Sequence, residues 1–224
     1  MIERAEVACT PARPPLDGAW DAGPWGAVAP LELSCFRPEG SDHRPRVQVK
    51  LLHDGSGIAV FFRVEDRYVR SVQTRLHGPV CTDSCVEWFV RPLPDRGYFN
   101  FEVNCGGTLH ASFVEDPTRT PNGFRKWRPL SPEACARIAI AHSMPPVVDP
   151  EIPDPVTWTL QLQVPLAVFE EFLGPLGPLA GQQWQANFYK CGDHTSHRHW
   201  VSWAPVGKLD FHRPQDFAPM VFAR

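Results

Sequence analysis

Apolar and polar residues alternate with a period of two along much of the chain. In Arg46–Leu52, Val47, Val49 and Leu51 alternate with Arg46, Gln48 and Lys50. The turn signal Asp54-Gly55-Ser56-Gly57 follows, and Ile58–Glu65 then places Ile58, Val60, Phe62 and Val64 on one face. Successive side chains of a strand point to opposite faces, so this pair predicts a hairpin with one buried side. Cys85–Val90 repeats the pattern with Val86, Trp88 and Val90 against Glu87. Tyr98–Asn104 sets Phe99, Phe101 and Val103 against Tyr98, Asn100, Glu102 and Asn104. In Thr157–Val164, Trp158, Leu160, Leu162 and Val164 oppose Thr157, Thr159, Gln161 and Gln163. Trp184–Lys190 alternates less strictly, and Arg137–Ala141 is a weaker strand.

One segment has helical character. Pro165 opens Leu166–Leu173, and Gly174-Pro175 closes it after about two turns. The 25 prolines and 16 glycines break the rest into short pieces, which argues against long helices. The Pro-rich stretch Met144–Pro155 reads as a loop between strands. Many short strands separated by turns predict an all-β sandwich or barrel, and 224 residues without a repeat or linker predict one domain, 1–224.

The polar side of these strands is rich in amides and carboxylates: Glu87, Asn100, Glu102, Asn104, Gln161, Gln163, Asn187 and Tyr189. A sheet can bury one face and leave the other wet. Amides and carboxylates suit sugar hydroxyls, each of which donates and accepts a hydrogen bond, and aromatic rings supply a platform for the sugar ring. The plainer alternative is an exposed face with cross-strand hydrogen bonds.

Charge and composition narrow the partners. A net charge of −3 gives no reason to expect nucleic acid or an anionic membrane, and no apolar run approaches a membrane span. The start MIERAEVACT carries charges where a secretory leader is apolar, so the default compartment is the cytoplasm. Seven cysteines cannot all pair within one chain, and reduced, buried thiols are expected.

The segment NFYKCGDHTSHRHWVSWAPVGKLDFHRP, residues 187–214, gathers Cys191, His194, His197 and His199 around Asp193. Thiolate and imidazole are zinc ligands, so this loop is a candidate metal site for a metal-binding protein or a metal-dependent hydrolase. Its spacing matches no zinc signature, and HExxH, GxSxG, GxxxxGK[ST] and GxGxxG are absent. Glu87 and Glu102 face the same way, and two carboxylates across a sugar would be the apparatus of a glycosidase.

The chain resembles the carbohydrate-binding module family 9-like domains through a series of motifs. Leu16-Asp17-Gly18-Ala19-Trp20 with Trp25 resembles the family's first motif, and Leu52–Asp66 its hairpin. SCVEWFV at 84–90, Tyr98–Gly106, Trp158–Pro165 and Gln185–Phe188 resemble its successive strands, and Trp200–Phe222 its ending. The resemblance implies an immunoglobulin-like or jelly-roll antiparallel β-sandwich with at most one short helix. It also implies a non-catalytic domain that requires no cofactor and takes an oligo- or polysaccharide. Members grip the end of a sugar chain between two aromatic rings, with a Glu, an Asn and an Arg on the hydroxyls. By motif the Glu falls on Glu87, the Asn on Asn104 and the second ring near Phe211, with Trp200 or Trp203 beside it. The first ring falls at Cys81 and the Arg on Glu102, both departures from the pattern. Glu102, Gln161 and Asn187 complete the expected ligand-binding set. Some relatives hold calcium, and a related branch of sandwiches binds haem b through Met, Lys or His, which here points to Lys190, Met144 and the histidine loop.

Overall fold

The period-two segments fold as strands in the computed structural model, which describes residues 4–16, 19–121 and 123–224. Asp17 and Gly18 of the first motif lie outside the described residues. In chain order the strands are β1 (Ala5–Cys9), β2 (Leu31–Leu33), β3 (Cys35–Phe36), β4 (Arg46–His53), β5 (Gly57–Asp66), β6 (Val69–Ser71), β7 (Cys85–Arg91) and β8 (Tyr98–Asn104). They continue with β9 (Leu109–Thr120), β10 (Gly123–Pro129), β11 (Ala139–His142), β12 (Val148–Ile152), β13 (Val156–Pro165), β14 (Gln183–Cys191), β15 (Trp200–Ser202) and β16 (Ala218–Phe222).

A first sheet runs β10-β9-β8-β7-β14-β16-β1, and a second runs β1-β4-β5-β13-β11. β1 serves both. Ala5–Val7 lie parallel to Met220–Phe222 of β16, and Ala8 and Cys9 lie parallel to Leu52 and His53 of β4. The sheets are otherwise antiparallel, so this seam is where the expected antiparallel pattern gives way.

Between the sheets lie the residues that the alternation marks as apolar: Val86, Trp88 and Val90, Phe99 and Phe101, Val60 and Phe62, Trp158 and Leu160, all buried. Phe62 of β5 meets Phe188 of β14 across the gap at 6.3 Å. Removing such side chains from water stabilises the fold by roughly 1.5–3 kcal/mol each. The turn after β4 closes on Asp54, whose Oδ1 accepts the N–H groups of Ser56 and Gly57 at 2.9 and 3.0 Å.

Helix α2 occupies Leu166–Leu173, as its pattern predicts, and buries Val168, Phe169 and Leu173 against the sandwich. A second helix, α1 (Pro132–Ala136), corrects the expectation of at most one. Ser131 caps it, accepting the Ala134 N–H at 3.1 Å, and Pro132 sits in the first turn where no N–H is needed. The stretch 144–155 is also more than a loop, because β12 pairs with β6 as a small separate sheet.

Lys190 breaks the alternation of β14 by following Trp184, Ala186 and Phe188 into the interior. Its Nζ lies 3.2 Å from Asp66 Oδ2, at the end of β5 in the other sheet, and neither side chain reaches solvent. Asp66 also accepts Trp158 Nε1 at 3.1 Å and pairs with His43 Nε2 at 2.7 Å. Burial alone would raise the Asp66 pKa, but the Lys190 charge and the hydrogen bonds with His43 and Trp158 outweigh it and hold the carboxylate well below its usual range. His199 receives Lys190 Nζ on Nε2 at 2.6 Å and meets the His197 carbonyl through Nδ1 at 2.8 Å. Burial, reinforced by Lys190, pushes His199 down to about 3, so it stays neutral.

Candidate functional site

The outward side chains of β7, β8, β9 and β14 form the polar face, and its expected wetness is corrected by the structure. Asn100, Asn104, Asn187 and Tyr189 are 0% exposed, Glu87 3% and Glu102 7%. Half of the face is apolar: Phe89, Tyr98, Val114 and Tyr189 pack with Val206 and Phe217 of the C-terminal loop, forming a second small core. Local periodicity marks which residues face outward but not which loop covers them.

The other half opens into a cavity of about 500 Å³, within the range of small-molecule sites. Glu87 and Glu102 stand directly opposite each other on β7 and β8 and both line it. Cys191 Sγ donates to Glu87 Oε1 at 3.0 Å. Asn100 Nδ2 donates to Glu102 Oε1 at 2.7 Å, while Asn100 Oδ1 accepts the Ser112 hydroxyl. Trp200 and Phe211 also line the cavity. Trp200 is oriented by donating Nε1 to Asp193 Oδ1 at 2.7 Å, and Phe211 is stacked on Tyr189 at 4.0 Å. Both rings pack against the cluster of Val80, Cys85 and Cys191. Arg119 contributes a guanidinium from β9, tethered to Asp210 at 2.8 Å. His212 shares a 2.8 Å hydrogen bond with the Tyr98 hydroxyl. Burial, helped by Arg119, lowers its pKa to about 3.

Burial raises the pKa of Glu87 well above the usual carboxylate value, and the charge of Glu102 adds to this. Burial also raises Glu102, against the pull of His110, and raises Asp193. The native state therefore binds more protons here than the unfolded chain at pH above the ordinary Glu value, and stability falls as pH rises. The buried histidines act with the opposite sign: His199 and His212 are depressed, so their contribution is present above about pH 6.5 and lost as pH falls toward 3. Thermal melts of wild type and Glu87→Gln, compared at each pH above the ordinary Glu value, isolate Glu87 because the histidines and thiols are common to both. Wild type is expected to lose stability relative to Glu87→Gln as pH rises. Parallel profiles would contradict the assignment.

Of the sequence-predicted ligand residues, the structure brings together Glu87, Glu102 and Phe211. The others lie elsewhere and correct the expectation. Asn104 spends its amide on the Gln73 carbonyl and Asp83 Oδ2, both at 2.9 Å, and accepts the Thr108 N–H at 2.8 Å, fixing a turn. Asn187 exchanges hydrogen bonds with the Ala204 backbone at 3.0 and 3.1 Å. Gln161 belongs to the second sheet, where it holds the Pro15 carbonyl at 3.1 Å. Trp203 is core, 1% exposed and 5.8 Å from Phe188.

The Cys191–His199 set does not converge either. His194 is exposed, His197 stacks on Tyr68 at 3.6 Å, His199 turns inward to Lys190, and Cys191 faces the cavity. Lys190 is committed to Asp66 and Met144 to the core, which removes the two non-histidine ligands of the haem reading. Calcium takes six or more oxygens. The cation-sized clusters among the described residues are His43–Asp66–His199 and Cys85–Glu87–Cys191, and neither offers such a set. Asp193 and His212 of the C-terminal segment line the cavity, as do His110 and Arg119, which sequence reasoning misses because the alternation of β9 is weak.

Comparison with known proteins places this geometry. The model of carbohydrate-binding family 9 matches residues 27–222. The chain belongs to that family. A candidate carbohydrate-binding protein from Bacteroides uniformis is 27% identical, with a TM-score of 0.85 over 99% of this chain and 100% of that one. A family 9 module from Caldicellulosiruptor kristjanssonii in complex with cellotriose shares the fold at 13% identity and a TM-score of 0.68, covering 99% and 94%. The same organism's family 9 module in complex with glucose shares it at 14% identity and a TM-score of 0.64, covering 99% and 97%. No curated protein matches. The family 9 assignment accounts for the sandwich and makes the chain a carbohydrate-binding domain. No helix among the described residues is long and apolar enough to cross a membrane.

Proposed function

We propose that the cavity on the outer face of the first sheet is the sugar site, and that it holds a glycan without cleaving it. The observation that carries this reading is the convergence of the Glu87–Glu102 pair with the Trp200 and Phe211 rings in one cavity. The rings offer apolar faces to a sugar ring, and the carboxyl pair offers acceptors and, when protonated, a donor to hydroxyls. Two departures from the family pattern find substitutes here. Trp200 lines the cavity that Cys81 also lines, and Arg119 brings a guanidinium to the cavity in which Glu102 stands at the motif's Arg position.

A glycosidase also uses two carboxyls, one as acid and one as ionised partner, so cleavage is the reading to test against binding. Titration calorimetry with glucose and cellotriose, the sugars in the two related complexes, tests the reading. Saturable binding with no release of shorter sugars from cellotriose is the expected result. Turnover would reassign the pair to catalysis, and heats indistinguishable from dilution for both sugars would remove the site.

A further inference from the structure

Cys85 and Cys191 sit directly opposite each other on β7 and β14, and Glu87 follows Cys85 on the same face. One donor atom from each of the three lies within 4.8 Å of the others. Cys81 packs on the same cluster and lines the cavity beside Glu87 and Cys191. We propose that Cys85, Glu87 and Cys191 form a binding site for a zinc-class cation at the cavity floor, with Cys81 within reach as a further ligand.

Two considerations lead there. The first is geometry: tetrahedral zinc, with bonds of about 2.0–2.3 Å, holds its donors roughly 3.5 Å apart, so these side chains need only modest adjustment. Donor chemistry is the second. Two thiolates with one carboxylate favour zinc-class ions over calcium or magnesium. The His43–Asp66–His199 cluster offers the contrast, because Lys190 already stands within it. On binding, the Cys85 and Cys191 thiols and the protonated Glu87 carboxyl release their protons to solvent, and the two thiolates and the carboxylate take up the metal.

The site shares Glu87 with the proposed sugar site but does not rest on it, since metal binding is measured without sugar. The experiment uses the full chain, reduced, metal-stripped and free of a His-tag, titrated with Zn²⁺ against a chromophoric chelator and separately with Cd²⁺. One equivalent of Zn²⁺ and a Cd²⁺–thiolate charge-transfer band are expected. Cys85→Ser and Cys191→Ser should each weaken Zn²⁺ binding by about 100-fold or more, beyond what loss of a supporting group costs. The double variant His194→Ala/His197→Ala should bind as wild type does. Absence of the charge-transfer band in wild type overturns the site, as does Zn²⁺ binding that survives both serine variants. If those variants fail to fold, the wild-type Cd²⁺ spectrum decides alone. Sugar calorimetry on metal-free protein keeps the two readings separable.

Discussion

Asp66→Ala is expected to lower the free energy of unfolding by about 3–5 kcal/mol, the usual cost of leaving one member of a buried ion pair alone. The substitution leaves the Lys190 ammonium 0% exposed between two sheets with its carboxylate gone. It also strips the Trp158 and His43 side chains of the acceptor they share. For a domain of this size each kcal/mol moves the melting temperature by about 2–4 °C, so a drop of roughly 6–20 °C is expected. The coupling is as informative as the loss. Lys190→Met in the Asp66→Ala background removes the orphaned charge and should recover part of the stability, a non-additivity that a double-mutant cycle in urea would display. A loss under about 1 kcal/mol for Asp66→Ala would show that water reaches the pair and that the sheets are not stapled there.

Glu87→Ala and Phe211→Ala carry the next largest effects, on sugar affinity rather than on folding. Burial and Glu102 hold Glu87 toward its neutral form, and a neutral hydrogen bond contributes about 0.5–1.5 kcal/mol, so Glu87→Ala should weaken glucose or cellotriose binding by roughly 2–10-fold. Phe211→Ala removes a ring already supported by Tyr189. Loss of a central aromatic typically costs 2 kcal/mol or more, about 30-fold in affinity. Gln161→Ala is the discriminating control. It lies on the second sheet beneath Pro15 and should leave the calorimetric constant unchanged. Equal losses from Gln161→Ala and Glu87→Ala would place the sugar on the wrong sheet.

These experiments separate what the residues announce from what only the fold reveals. Strand phase alone assigns Trp88, Trp158 and Trp184 to the core, and it places Glu87 and Glu102 together on the opposite face. It assigns Gln161 and Asn187 to a polar face too, but cannot say that Gln161 faces away on another sheet or that Asn187 is consumed by the Ala204 backbone. Those are facts of topology and loop placement. The β9–β10 hairpin escapes notice for a local reason: Pro117 interrupts its alternation, and Glu115, Arg119, Arg125 and Lys126 give it the look of a loop. That hairpin delivers His110 and Arg119 to the cavity. Lys190 enters the sequence reading only as a candidate haem ligand, and its partner Asp66 lies on the other sheet, so the buried pair is a fact of topology.

The strand shared by both sheets bears on how the domain answers a pull. β1 lies parallel to β16 through three residue pairs and hands over to β4 for two more. Tension arriving ahead of Ala5 and leaving beyond Phe222 runs along these strands in opposite senses. It therefore slides β1 against β16 and loads their ladder bonds together instead of unzipping them one by one. The seam that lets one strand close a sandwich also sets the domain in shear, the direction in which a short ladder resists most.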